Sequence, residues 1–231
     1  MHEPLRIPGA PRFMNIWVTR PGPTPATIDL MPHSGGTRQG VWATGNPLAD
    51  GWTPDATATP ILVMDAGSLA DDPLTPHPAN WLRPGRAALD AVVARTVAEM
   101  NAERLCLRPH CRQVLSDLPS CRAFQNDHAP DRIGVALAPA AMLEPSMVDD
   151  LDEHLERLFA PGPDLWSMVF LSDVRCPSGG VIEAGPLGSG TLPRETVRRH
   201  LAPFVAAGTP IVIEGEDVAG QVAWLSGAGG L

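Results

Sequence analysis

The chain contains no lysine and no tyrosine, and all 17 of its basic residues are arginine. Schiff-base chemistry and a phosphate-loop lysine both need an amine that is absent here, so both are excluded. The arginines are scattered and the formal net charge is -9, so no basic cluster exists to neutralise a run of phosphates, which argues against nucleic acid as a partner. No stretch approaches the roughly 18 consecutive apolar residues of a membrane span, and MHEPLRIPGAPRFMNIWVTR lacks the continuous apolar run of an export signal. The expectation is a cytoplasmic protein with no membrane partner. The four cysteines (Cys106, Cys111, Cys121 and Cys176) show no C-x-x-C pairing or zinc-ribbon spacing and read as reduced, mostly buried thiols.

What is present suits one packed domain. Hydrophobic residues make up 44% and charged residues 19% of the 231, enough for a full-sized core and far from the composition of disorder. Residues 1–60 hold ten prolines and seven glycines, so no helix of normal length fits there. Three extended segments do: Arg12–Arg20, Ala26–His33 and Gln39–Gly45, separated by PGPTP and SGGTR.

From residue 61 the texture changes to strand, loop and helix in alternation, the signature of a parallel sheet with crossover helices. Ile61–Met64, Leu105–Leu107, Gly134–Ala138, Ser167–Ser172 and Pro210–Glu214 read as buried strands. Leu89, Val92, Val93, Val97 and Met100 recur at helical spacing over about Arg86–Glu103, and a short helix can start at Pro119. Met147, Leu151, Leu155 and Leu158 line the next helix. Val197, Leu201 and Phe204 line another, stopped by Gly208. GPLGSG (185–190) contains G-x-G but does not follow a strand and open a helix, so it is a loop and not a dinucleotide fingerprint. The fold class is α/β, a (β/α)₈ barrel that is reduced in its N-terminal part, in a chain somewhat shorter than the usual 250 or so residues.

Four motifs in order carry a resemblance to the xylose-isomerase-like superfamily of sugar-phosphate isomerases, epimerases and related enzymes. LCLRPH (105–110) resembles L-x-L-E-N-H, and GVALAPAAML (134–143) resembles G-V-x-L-D-P-G-H. MVFLSD (168–173) resembles V-x-H-L-K-D. PLGSGTL followed by PIVIEGED resembles P-L-G-E-G-D-V followed by L-V-L-E. The resemblance implies one divalent metal held by Glu, Asp, His and Glu at four strand ends, where it would act as a Lewis acid beside a sugar carbonyl. Carried onto this sequence, those positions are Arg108, Ala138, Phe170 and Glu214. Only the last is a ligand, and a fixed cation at the first would repel a metal.

The expectation is therefore a protein without a metal or other cofactor. Arg108, Glu214 and His110 are the candidate catalytic residues, and Asp173, Arg175 and Glu183 the candidate substrate-lining residues. His33, His77 and Asp65 are the alternatives that could refill a metal site. Two functions follow: a binder of a small polar or anionic ligand, acting alone or as a partner subunit, or a metal-independent isomerase, epimerase or lyase using Arg108 and Glu214. Because residues 12–60 leave too little chain for covering helices, Met14, Ile16, Trp17, Val41 and Trp42 are expected in core or contact, with a second copy or another protein over that face.

Overall fold

The computed structural model describes residues 14–54, 59–177 and 182–227; the first two residues of the expected Arg12–Arg20 segment lie outside them. The Pro- and Gly-rich N-terminal part forms three strands, β1 (Ile16–Pro21), β2 (Thr27–Pro32) and β3 (Gly40–Ala43), and no α-helix precedes residue 83 among the described residues. Strand and helix then alternate: β4 (Ile61–Asp65), α1 (Arg83–Glu99), β5 (Arg104–Arg108), α2 (Leu118–Asp127), β6 (Ile133–Leu137), the single turn α3 (Pro139–Met142), α4 (Leu151–Phe159) and β7 (Trp166–Leu171). A hairpin of β8 (Asp173–Arg175) and β9 (Glu183–Gly185) follows, then α5 (Arg194–Ala207), β10 (Ile211–Ile213) and α6 (Val218–Ser226). Eight strands close into a barrel in the order β1-β10-β7-β6-β5-β4-β3-β2. Among the described residues no helix is long and apolar enough to cross a membrane.

The chain divides into two compact units, one made of Arg20–Met31 and Thr37–Ala136, the other of the residues up to Thr19, Pro32–Gly36 and everything from Leu137 onward. In the first unit β3, β4 and β5 run parallel, as do β5 and β6, while β2 pairs antiparallel with β3. The reversal follows from chain length: the SGGTR link is too short for the dozen or more residues of a parallel crossover, whereas residues 44–60 between β3 and β4 are long enough. Register puts Trp42, Val63, Asp65, Cys106 and Arg108 on one face of this sheet. The opposite face is aliphatic, with Leu62, Met64, Leu105 and Leu107 fully buried, each contributing about 1.5–3 kcal/mol. Such a face is what a parallel sheet carries where helices cover it.

In the second unit β1, β10 and β7 are parallel, with Trp17 beside Val212 and Val212 beside Phe170. Gly208 ends α5 in the left-handed conformation (φ 73°), where a residue without Cβ is free of strain, and its N–H closes onto Phe204 and Val205 carbonyls. Asn15 donates to the Gly208 carbonyl at 3.2 Å and accepts from the Trp17 indole N–H at 2.9 Å, which ties the start of β1 to the end of α5.

Several boundaries differ from the sequence reading for local reasons. α1 starts at Arg83, three residues early, because Pro84 suits a first turn; it stops at Glu99 because Glu103 and Arg104 donate to the Pro60 carbonyl and are drawn into the sheet. Met147 sits in a 3-10 turn ahead of α4. The β8–β9 hairpin was not expected. Met14, Ile16, Trp17 and Val41 are all buried within this chain, so these positions are core. Among the described residues the exposed large apolar side chains are Leu69, Leu74, Trp81 and Leu82, all between β4 and α1.

His200 in α5 stacks on Phe159 of α4, with ring centroids 5.5 Å apart, and its Nε2 is buried without a hydrogen-bond partner. Burial, and secondarily Arg199, hold its pKa below the ordinary 6.5, with Glu156 and Asp152 opposing. The unfolded chain therefore takes up this proton at a higher pH than the native one, so stability is complete above about pH 6.5 and declines as pH falls below it toward the native pKa. A His200→Leu variant is expected to show a flatter denaturant-midpoint profile between pH 8 and 5 than the parent; an identical slope would contradict this.

Candidate functional site

Arg108 ends β5 with its side chain 11% exposed. Its Nη1 lies 3.5 Å from Asp65 Oδ1, on the register neighbour at the end of β4, and its guanidinium carbon stands 4.6 Å from the Trp42 ring centroid. A guanidinium within about 6 Å of an indole face is attracted by the ring quadrupole, and stacking fixes the plane of the fork. The ion pair is long, so the ring and the strand register fix this cation at least as much as Asp65 does. Cys106 shares the face, but burial pushes its thiol up to about 12, with Arg104 pulling weakly the other way. It is therefore a packing residue with no nucleophilic role.

His110 lies in the turn after β5. Its N–H donates to the Leu115 carbonyl, and its Nδ1 accepts the Arg112 N–H at 3.2 Å with Cys111 Sγ 3.6 Å away. An Nδ1 that accepts places the neutral ring's proton on Nε2. The loops around this turn are fastened by amide side chains. Asn80, 1% exposed, accepts from Leu69 N and donates to Ser68 Oγ and the Arg112 carbonyl, while Gln113 accepts from Gly67 N. Asn46 brackets Ser68, donating to its carbonyl and accepting from its N–H.

In the other unit the candidates collect on the β8–β9 hairpin and at the end of β10. Asp173 is buried, with Oδ1 accepting from Val174 N and Leu192 N and Oδ2 from Gly188 N, all within 2.7–2.9 Å. Its carboxylate organises the GPLGSGTLP segment, and Gly190 is required there because a Cβ would come within 2.6 Å of Asp173 Oδ1. Arg175 and Glu183 are exposed register partners across the hairpin. Glu214, half-buried, follows β10, and its carbonyl accepts from Gln221 Nε2, whose Oε1 takes the Leu187 N–H of the same glycine-rich segment. Ala138 precedes α3 and Phe170 lies within β7, both buried and neither with a donor atom for a metal. Phe170 is on the same face of β7 as Trp166, whose indole N–H reaches the Leu158 carbonyl in α4.

Among the described residues no three His, Cys, Asp or Glu side chains converge so that they could hold a metal ion. His33 and His77 belong to no such group, and Asp65 contacts Arg108. Trp42 as the partner of Arg108, and the amides Asn80, Gln113 and Gln221, carry no local sequence signal. They come into place only through strand register and loop closure.

Asp173→Ala leaves three N–H donors, two of them buried, without this acceptor, so a loss of about 2–4 kcal/mol is expected in denaturant unfolding. The amides of Val174, Gly188 and Leu192 should exchange faster with solvent in a still-folded Asp173→Asn protein. Unchanged protection at those three amides would mean that the carboxylate does not hold the segment.

No protein-family model and no curated protein matches the sequence. Among solved structures the chain is similar to a xylose isomerase domain protein from Planctomyces limnophilus, with 17% identity, 74% of this chain and 57% of that one covered and a TM-score of 0.47. It is also similar to a xylose isomerase-like TIM barrel protein from Mycobacterium smegmatis, solved in complex with magnesium, with 17% identity, 74% and 60% coverage and a TM-score of 0.42. The chain thus spans less than two thirds of the length of either structure. At 17% identity and these TM-scores the likenesses bring neither a substrate nor a metal to this chain.

Proposed function

We propose that this chain binds a small polar or anionic ligand at the C-terminal end of β5, without a metal ion, and that Arg108 is the anchoring cation. The observation that carries this reading is the guanidinium held over Trp42 beside Asp65 at a strand end, the face on which barrel sites are built. A planar fork with its plane already fixed loses little freedom on forming paired hydrogen bonds to a carboxylate, a phosphate or a polarised carbonyl. The same cation opposes a divalent metal, and the positions the motif resemblance assigns to ligands, Ala138 and Phe170, have no donor atoms. A sugar phosphate or another small oxygen-rich anion is the ligand class that fits both the charge and the resemblance.

Two measurements test this. Calorimetric titration with inorganic phosphate and with a hexose phosphate should show binding that Arg108→Ala weakens by tenfold or more, as expected when a charge-assisted hydrogen bond worth about 1.5–3 kcal/mol is lost. Arg108→Lys should also bind less well, since an ammonium neither lies flat on the indole nor presents a fork. Affinity that is equal in the parent and both folded variants would move the site away from β5. Elemental analysis after dialysis against Mn²⁺ should find far less than one equivalent per chain, and a full equivalent would overturn the metal-free reading.

A further inference from the structure

One of the four cysteines differs from the others in its neighbour. Cys106 and Cys121 are buried, and burial pushes the Cys106 thiol up to about 12 and raises that of Cys121 likewise, with the charge of Asp117 adding to the effect. Neither supplies a thiolate near neutral pH. Cys176 is exposed and makes no hydrogen bond among the described residues. Cys111 is half-buried in the turn after β5, and its Sγ stands 3.6 Å from Nδ1 of His110, a hydrogen-bond distance for an atom as large as sulfur.

The rest of the turn sets the direction of that contact. Nδ1 also accepts the Arg112 N–H at 3.2 Å, so in the neutral ring it carries the lone pair, and a thiol beside it is the donor. The turn is closed by the His110 N–H on the Leu115 carbonyl and the Gln113 N–H on the His110 carbonyl, which keeps ring and thiol together. A nucleophile within hydrogen-bond reach of a base is the arrangement by which weak nucleophiles are activated, and imidazole takes up and returns protons near neutral pH. Taking the thiol proton costs the ring one neutral hydrogen bond from Arg112. It gains a thiolate and an imidazolium in contact, and charge-assisted pairs outweigh neutral bonds.

Two features select the reagent. A half-buried sulfur admits a small molecule more readily than a bulky one. Alkylation is finished once the sulfur has attacked, whereas reduction of a peroxide leaves an oxyanion to be protonated, and the proton held by the ring is beside it. We infer that Cys111 is a modification site for small hydroperoxides, with His110 as the base that activates the thiol and the acid that completes the step. The thiol proton passes to Nδ1, and the sulfur attacks the terminal peroxide oxygen. The S–O bond forms as the O–O bond breaks, and the leaving hydroxide or alkoxide takes the proton from Nδ1. The sulfur loses two electrons and becomes a sulfenic acid, the peroxide is reduced to water or an alcohol, and the ring ends as it began. This site does not rest on the reading of Arg108.

Hydrogen peroxide is the probe, applied to the full native chain with dimedone to trap sulfenic acid and mass spectrometry to follow each cysteine. Exposure alone would put the adduct first on Cys176. Activation by the imidazole puts it first on Cys111, about tenfold or more faster than on Cys176, with Cys106 and Cys121 unmodified. His110→Asn keeps an acceptor for the Arg112 N–H in its amide oxygen but takes up no proton. It should slow the reaction of Cys111 by about tenfold or more and leave that of Cys176 unchanged. Cys176 reacting as fast as Cys111 in the parent would overturn the assignment, and that ratio needs no variant to fold. Equal rates at Cys111 in the parent and in folded His110→Asn would overturn it as well, because the ring would then take no part in the reaction.

Discussion

Asn80 spends its side chain on backbone and on one hydroxyl: it accepts from Leu69 and donates to Ser68 Oγ and the Arg112 carbonyl, in a place where water has no access. An amide buried in this way costs more to strand than it gains when satisfied, so the two loops it joins are held together by the penalty for parting them. Gln113 and Asn46 fix the same loops from either side. Strand ends in a barrel present ragged carbonyls and N–H groups, and the surrounding loops need partners that helices and ladders cannot supply. Buried amides meet that need here. In the other unit a carboxylate does the same work, with Asp173 gathering three N–H groups and Gln221 joining the glycine-rich segment to the end of β10.

This division of labour gives Asp173 a role that its motif position does not suggest. A side chain at the end of a barrel strand is ordinarily read as facing a ligand. Here both oxygens are occupied by the chain's own backbone, and Gly190 leaves room for the carboxylate and the Val174 carbonyl that it approaches. Arg108 differs: its guanidinium lies over a ring face beside a carboxylate, at the end of its strand.

The sequence was most legible where periodicity and punctuation agree. The alternation after residue 61, the three strands between the proline-rich separators and the Gly208 stop are all present, because each is dictated by local backbone chemistry: a missing N–H, a positive φ, an apolar stripe. What could not be read depends on register. Trp42 meets Arg108 only because β3 sets Trp42 against Val63 and β4 sets Asp65 against Arg108, a relation across two strands that no spacing along the chain encodes. Trp17 was expected in core or contact, but the partner of its indole was hidden for a similar reason: Asn15 also reaches the end of α5, 193 residues away. The β8–β9 hairpin escaped because three-residue strands are too short to show alternation.

A chain whose only strong bases are arginines must use one side-chain geometry for every cationic task, and the unit of residues 20–31 and 37–136 shows how it separates them. Arg95, Arg104 and Arg112 donate to the carbonyls of Trp52, Pro130 and Leu74, acting as ties between loops. Arg86 is neutralised by two carboxylates and stacked on Phe124. In these uses the guanidinium is tied to groups of the chain itself. Against a net charge of -9, an arginine that retained its field without purpose would be an ordinary solvated residue, distinguished by nothing around it. Arg108 differs from that case in its surroundings, since its guanidinium lies over the Trp42 ring beside Asp65. That combination of charge, apolar contact and imposed rigidity is what binding a small anion requires.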